Sequence, residues 1–468
     1  MILAQSITDV GMDWPGVQEI VRVLTFQAGY NTAIVTAGAM CLGIAGGIIG
    51  TFMVLRKRSL MADALSHSTL PGIAIAFIVA TVLGFDGKTL PVLLGGAAVA
   101  GVVGVLTVQA IVRYTRLTED TAIGVVLSVF FGVGIVLLSV IQNMRGGNQA
   151  GLDHFLLGQT ASLLMSDAIL IGGVAVASAI TALLMLKEFR LVCFDDSYAA
   201  AQGWPVTLID LLMMALVVVV TVIGLQAVGL VLVVAMLIIP ASAARFWTER
   251  LGTMTLLGGL IGGLSGYLGA SASALLPRLP AGPVIVLVAG ALFTASLLLA
   301  PNRGVLAVAF RQVSLRLRIR REHLLRGIYE GLEVRGEPID SGLPLGQMRS
   351  RRWSGLSGRI MVRWLCVRGF ITRTHDELRL TARGIEDAVR LTRNHRLWET
   401  YLVQYADIAP SHVDQSADLV EHVLSKVLVA ELERILHAEG RLPGGDETIR
   451  SVHPLSTPHS TGQGKAGQ

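Results

Sequence analysis

Cysteine, aromatic and charged residues are all scarce in this chain of 468 residues. Its three cysteines, Cys41, Cys193 and Cys366, lie far apart and form no C-x-x-C pair, so the sequence indicates neither a disulfide framework nor a thiolate metal site. Aromatic residues make up 6% and charged residues 15% of the sequence, whereas 53% is hydrophobic. A composition this apolar over such a length is typical of a polytopic membrane protein.

The sequence also lacks the G-x-x-x-x-G-K-[ST] motif, whose backbone cradles nucleotide phosphates. We therefore expect no ATP hydrolysis by this chain, and we predict no catalytic residues.

The few charged residues are unevenly distributed along the chain. Residues 1–310 carry 14 Lys and Arg and 14 Asp and Glu, whereas residues 311–468 carry 24 and 19. This boundary predicts a transmembrane domain over 1–310 and a water-soluble domain over 311–440. The polar segment 441–468 is predicted to be a disordered tail.

Nine apolar runs in the first part approach the roughly 20 residues that a membrane-spanning helix needs. The sixth and seventh nearly fuse around residues 226–229, which predicts short or broken helices there. We expect an all-α domain of about eight to nine transmembrane helices. The runs cover residues 33–55, 60–83, 90–112, 121–142, 165–186, 207–227, 228–247, 253–275 and 283–301.

Basic residues predict the orientation of these spans, because cytoplasmic connections are enriched in Lys and Arg. With nine spans, this enrichment places the N-terminus outside and the C-terminal domain in the cytoplasm. The basic residues of the alternate connections are Arg56, Lys57, Arg58, Arg113, Arg116, Lys187, Arg190, Arg245, Arg250 and Arg303.

Two ionisable residues, Asp63 and His67, interrupt the second apolar run. Their spacing of four places them on one face of a helix, and a carboxylate with an imidazole suits Mn²⁺, Fe²⁺ or Zn²⁺. Ionisable residues within spans often mark a transport pathway. Alternatively, Asp63 pairs with the cluster Arg56–Arg58 or caps the helix, while His67 is hydrogen-bonded within the bundle.

The segment "LRKRSLMADALSHSTLPGIAIAF" resembles the signature of the ABC-3 family of permeases. Further matches are "EDTAIGVVLSVFFGVGIVLLS", "GLDHFLLGQTASLLMSD" and "GLVLVVAMLIIPASAARFWTERL", which extend the resemblance over about residues 30–300. It implies a multi-pass permease of the bacterial plasma membrane in an ATP-driven importer of manganese, zinc or iron. Asp63 and His67 match the pair that the family uses to bind the transported cation.

Manganese is our first choice of cation. Neither Asp63 and His67 nor the second candidate site, which is described below for the C-terminal domain, contains a thiolate. No permanently bound cofactor is expected.

The resemblance also implies partners: a separate ABC ATPase subunit, an extracytoplasmic metal-binding protein, and a second permease subunit in a homo- or heterodimer. The connection "FDDSYAAAQGWP" resembles the family's coupling helix, on which the ATPase docks. An ordinary polar loop is the alternative interpretation. The residues predicted to couple are Asp195, Asp196, Ala199, Ala200 and Gly203.

The second part resembles the diphtheria-toxin repressor family of metal-dependent regulators, from Arg320 to about Leu436. The resemblance rests on "LRLTARGIEDAVRLTRNHRLWETYL" and "ADLVEHVLSKVL", and it implies a winged helix followed by a helical region. The positions that match the family's regulatory metal ligands are His395, Asp418, Glu421 and His422.

One departure from that family concerns its first helix, where acidic ligands are expected. This chain has His323 and Arg326 at those places, and a guanidinium cannot bind a metal ion. The second metal site of that family, or part of the first, is therefore in question. A solvated helix face is the alternative explanation of the acidic residues.

Two further functions stay open at this point. The chain is alternatively a membrane-anchored, metal-responsive transcription regulator, with phosphate contacts from Arg351, Arg352, Arg359 and Arg363. These arginines equally suit anionic lipid or the ATPase, so we do not expect nucleic acid as a partner. The other alternative is an ATP-independent secondary carrier.

Overall fold

The computed structural model describes residues 16–85, 89–144, 165–276, 279–344, 356–375, 377–405 and 426–438. The chain divides into two compact units, Met1–Val308 and Ala309–Gln468.

The described part of the first unit consists of helices joined by short connections. The helices are α1 (Val17–Leu24), α2 (Tyr30–Leu55), α3 (Ser59–Val82), α4 (Leu90–Tyr114), α5 (Glu119–Asn143), α6 (Met165–Leu184), α7 (Leu186–Phe194), α8 (Asp196–Ala201), α9 (Val206–Val228), α10 (Leu230–Trp247), α11 (Leu251–Leu275) and α12 (Ala281–Leu299).

Each of the nine apolar runs corresponds to one of these helices, so the predicted all-α membrane domain is confirmed. Seven helices in the described part of the chain are long and apolar enough to cross a membrane. The pair α6 and α7 is an eighth candidate, bent by 65°. The run 228–247 forms the shorter helix α10, which follows α9 after the single residue Gly229.

Gly229 explains why the sixth and seventh runs are separate helices. Its φ of 84° lies in the left-handed region, which a residue with a side chain rarely adopts. The backbone N–H of Gly229 still donates to the carbonyl of Leu225, which closes the last turn of α9.

Close packing of glycine faces joins α2 to α11. A Cβ atom added at Gly43 would collide with the carbonyl group of Gly262, and one added at Gly47 would collide with that of Gly258. Small residues let helices approach this closely in a membrane, where apolar side chains gain little from avoiding lipid. The glycines of "LGIAGGIIG" and "GGLIGGLSG" therefore set the distance between two helices of the bundle.

The second unit combines helices with a small antiparallel sheet. The sheet order is β1-β3-β2, with Leu343 opposite Leu378 and Ile371 opposite Leu380, and these side chains are buried in the unit's core. This arrangement confirms the predicted winged helix. The elements are α13 (Val305–Arg335), which begins in the first unit, then β1 (Gly342–Pro344), α14 (Leu356–Val367), β2 (Ile371–Thr374), β3 (Glu377–Leu380), α15 (Ala382–Tyr405) and α16 (Lys426–Ala438).

Candidate functional site

Asp63 and His67 lie one turn apart on α3, with the Nε2 atom of His67 3.6 Å from Oδ1 of Asp63. This distance exceeds the range of a hydrogen bond, so the two groups face each other without being bonded. The side chains are 38% and 23% exposed, respectively. The two side chains therefore form a pair of possible metal ligands that is partly open to its surroundings.

The imidazole of His67 is fixed by an aromatic neighbour rather than by a hydrogen bond. The ring of Phe131 on α5 lies edge-on to it, with the ring centroids 4.9 Å apart. The Nδ1 atom of His67 is buried and has no hydrogen-bond partner among the described residues. Within the described ranges, no hydrogen bond occupies Nε2, which lies 3.6 Å from Oδ1 of Asp63.

Proline within α3 adds a third polar atom to this region. Pro71 is inside the helix and has no N–H, so the carbonyl group four residues earlier, that of His67, loses its helical donor. The hydroxyls flanking His67 are satisfied within the helix: Ser66 donates to the carbonyl of Ala62, and Ser68 donates to that of Leu65.

The arginines near Asp63 are paired with other acids. Nη1 of Arg58 lies 2.7 Å from both carboxylate oxygens of Asp210, and Nη2 of Arg56 lies 3.3 Å from Oδ1 of the same residue. Arg58 also pairs with Glu119. These ion pairs argue against the alternative that Asp63 merely neutralises the arginine cluster.

This arginine–carboxylate network was not predicted from the sequence. Burial lowers the pKa of the Arg58 guanidinium, but the charges and hydrogen bonds of Asp210 and Glu119 outweigh it, and the pKa ends above its ordinary value. The available signal was Asp210 itself, which is a lone ionisable residue in the apolar run "VTLIDLLMM".

A cavity of about 420 Å³ adjoins the network. Its wall includes Arg56, Arg58, Glu119 and Asp210, together with Met61 of α3. The same end of the bundle therefore carries both the ion pairs and a space large enough for several water molecules.

The predicted coupling connection contains the short helix α8. The Asp195 side chain caps it by accepting a hydrogen bond of 2.8 Å from the backbone N–H of Tyr198. Gly203 ends the turn with a φ of 83°. Asp195, Asp196, Ala200 and Gly203 are exposed, whereas Ala199 is fully buried against the bundle.

Three exposed aromatic side chains surround this helix. Phe194, Tyr198 and Trp204 are 65%, 51% and 44% exposed. The helix is also tied to the arginine network, since Nη1 of Arg56 donates to the carbonyl of Val192 and lies 3.4 Å from Asp196. The connection thus exposes aromatic side chains, while Arg56 holds it in place through contacts with Val192 and Asp196.

In the second unit, His395 is fully buried on α15 and both of its ring nitrogens contact charged side chains. Nη1 of Arg326, from α13, lies 2.6 Å from Nδ1. Oε1 of Glu399 lies 3.1 Å from Nε2. On the opposite side of the guanidinium, Nε of Arg326 is 3.4 Å from Oε1 of Glu330.

Both ring nitrogens of His395 are thus engaged with side chains, whereas a metal ligand presents a ring nitrogen to the ion. No group of three or more His, Cys, Asp or Glu side chains suited to a metal occurs among the residues that the structure describes. The other predicted ligands, Asp418, Glu421 and His422, lie outside the described residues.

Two of the four arginines considered as nucleic-acid contacts lie within the described residues. Arg359 and Arg363 are exposed on α14, whereas Arg351 and Arg352 lie outside the described residues.

Comparison with known proteins gives a family match over most of the first unit. The model of the ABC 3 transport family matches residues 30–300, which is more than half of the chain. The chain belongs to this family. It is thus a membrane-transport subunit, and its apolar helices are those of an ABC-type permease.

Similar proteins are also membrane proteins of metal transport systems, but their names give different cations. The manganese transport system membrane protein MntC of Bacillus subtilis is 40% identical over 395 residues, covering 82% of this chain and 87% of its own length. The zinc transport system membrane protein TroC of Treponema pallidum is 42% identical over 283 residues, covering 60% and 93%.

A solved structure, PsaBC from Streptococcus pneumoniae in complex with Fab, shares the fold of the first unit. It is 31% identical with a TM-score of 0.53, and the match covers 63% of this chain and all of that one. Separately, residues 381–450 match the iron dependent repressor, metal binding and dimerisation domain. The second unit is therefore similar to metal-dependent regulators.

Proposed function

We propose that this chain is the permease subunit of an ATP-driven importer of divalent metal ions, with manganese as the preferred ion and zinc and iron as alternatives. The observation that carries the proposal is the Asp63–His67 pair within α3. Its two donor atoms are 3.6 Å apart and do not bond to each other, while the nearby arginines are paired elsewhere.

The geometry of the pair suits transient binding of a cation. With metal–ligand distances of about 2.1 Å, ligand atoms 3.6 Å apart subtend roughly 118° at the ion, which is within about 10° of the tetrahedral angle. A small side-chain rotation brings them to the closer spacing that octahedral Mn²⁺ requires. Two protein side chains, with water or the carbonyl of His67 completing the shell, make a site that releases its ion readily.

The end of the bundle that carries Arg56 and Arg58 would face the cytoplasm of a bacterial plasma membrane. At that end, the exposed aromatic residues around α8 form a docking surface for a separate ABC ATPase subunit. Aromatic side chains are enriched at the centres of protein interfaces, and the ion pair between Arg56 and Asp196 links this surface to α2. Ala199 anchors the helix from below rather than touching the ATPase.

Three further partners follow from an importer of this type. An extracytoplasmic metal-binding protein would deliver the ion to the outer end of the bundle. A second permease subunit, identical or related, would complete the pathway, and membrane lipid would surround both. The second unit would be a cytoplasmic regulatory module, which its similarity to metal-dependent regulators supports.

Reconstitution in proteoliposomes tests this function. The chain is purified with a co-expressed ATPase, and the extracytoplasmic metal-binding protein is added outside the vesicles. The liposomes are expected to accumulate ⁵⁴Mn²⁺ when ATP and Mg²⁺ are supplied to the ATPase, and to be inactive with a non-hydrolysable analogue. Uptake driven by a pH gradient without any ATPase would show a secondary carrier instead. Sequence-specific DNA protection with no metal transport would show a membrane-anchored regulator.

A further inference from the structure

A buried arginine contacts His395, the one member of the predicted regulatory site that lies within the described residues. Arg326 is 7% exposed and His395 and Glu399 are fully buried. A guanidinium carries a permanent positive charge and only donates hydrogen bonds, so Nδ1 of His395 must accept from it. The imidazole N–H is then at Nε2, where it donates to Glu399.

The groups around this guanidinium are of the types that a hard divalent cation selects. Among the described residues they include one imidazole nitrogen, at 2.6 Å from Nη1, and the carboxylate of Glu330, at 3.4 Å from Nε. Glu399 contacts the other nitrogen of the same imidazole. A buried charge persists only when it is paired, and here the positive partner comes from the chain itself.

We propose that Arg326 is a built-in cation that takes the place of a metal ion at His395. The second unit is consequently closed to divalent metal at His395. This inference rests on the contacts within the second unit and does not depend on the proposed transport function.

Metal counting on the full chain tests the proposal. The purified protein in detergent is equilibrated with Mn²⁺ or Zn²⁺, desalted and measured by inductively coupled plasma mass spectrometry. His395→Asn is expected to bind as many ions per chain as the parent. If the parent loses one equivalent on this substitution, His395 is a metal ligand and the proposal is wrong.

Arg326→Glu provides the converse experiment, since it replaces the built-in cation by a carboxylate. We expect it to gain about one Mn²⁺ per chain, and Arg326→Glu combined with His395→Asn to lose that gain. Arg318→Glu, an exposed position on the same helix, is the matched control and should bind as the parent does. A folded Arg326→Glu chain that gains no metal would overturn the proposal.

A second variant covers the case in which Arg326→Glu does not fold. Arg326→Ala leaves a buried gap beside the imidazole, so millimolar methylguanidinium is expected to raise its melting temperature, with no effect on the parent or on Arg318→Ala. Absence of this rescue in the folded variant would count against a cation-specific role for Arg326.

Discussion

One guanidinium nitrogen of Arg58 lies 2.7 Å from each oxygen of the Asp210 carboxylate. The two residues are 152 positions apart in sequence, and both side chains are largely buried. This contact joins the connection between α2 and α3 to the start of α9. The guanidinium is thus paired with Asp210 rather than with Asp63, which lies only five residues further along the chain.

Removing the charge of Asp210 should therefore destabilise the permease. Asp210→Asn leaves Arg58 partly buried without its main partner, a loss that costs about 3–5 kcal/mol for buried pairs. Thermal unfolding of the purified chain measures the effect.

The matched control is the exposed pair Arg303–Glu249, whose side chains are 48% and 75% exposed. Glu249→Gln should change stability by no more than about 1 kcal/mol. If the two substitutions lowered stability equally, the Arg58–Asp210 pair would contribute no more to stability than an exposed ion pair.

The glycine contact between α2 and α11 gives a second prediction. Gly47→Ala drives a methyl group into the carbonyl of Gly258, and overpacking of this kind costs about 1–3 kcal/mol. Gly38→Ala on the same helix meets no atom within 4 Å and should not lower the melting temperature, because alanine favours the helix more than glycine does. If both variants melt alike, the two helices are not as close as the structure places them.

The exposed aromatic surface at α8 should be needed for association with the ATPase. Tyr198→Asp puts a charge at its centre and is expected to reduce co-purification of the ATPase by at least about tenfold, which corresponds to 1.4 kcal/mol. The chain itself should remain folded, because Tyr198 is 51% exposed.

Phe85→Asp is the matched control for this surface. It replaces an aromatic residue that is 70% exposed and follows the opposite end of α3. We expect normal recovery of the ATPase with this variant. Normal recovery with Tyr198→Asp as well would place the docking surface elsewhere.

Local patterns in the sequence were sufficient to predict the helices of the first unit. The apolar runs and the interruption around residues 226–229 depend on neighbours close in sequence, and each has the expected structure. The placement of Asp63 and His67 on one helical face is of the same kind, since it follows from a spacing of four.

Contacts between distant parts of the chain could not be predicted in this way. No short sequence pattern indicates that Arg58 pairs with Asp210. The same is true of the contact between Arg326 and His395, which are 69 positions apart. Burial of Ala199 is another example, because an alanine-rich helix has no apolar stripe that would mark its inner face. These features depend on how the helices pack, which periodicity does not determine.

The central claim is that Asp63 and His67 bind the transported ion, and ATP-driven ⁵⁴Mn²⁺ uptake by reconstituted variants tests it most directly. Asp63→Ala and His67→Ala should each reduce uptake at least about tenfold, since each removes one of two protein ligands. The control Asp120→Ala, an exposed carboxylate at the start of α5, should transport as the parent does. Uptake at the parental rate by the Asp63→Ala, His67→Ala double variant would contradict the account.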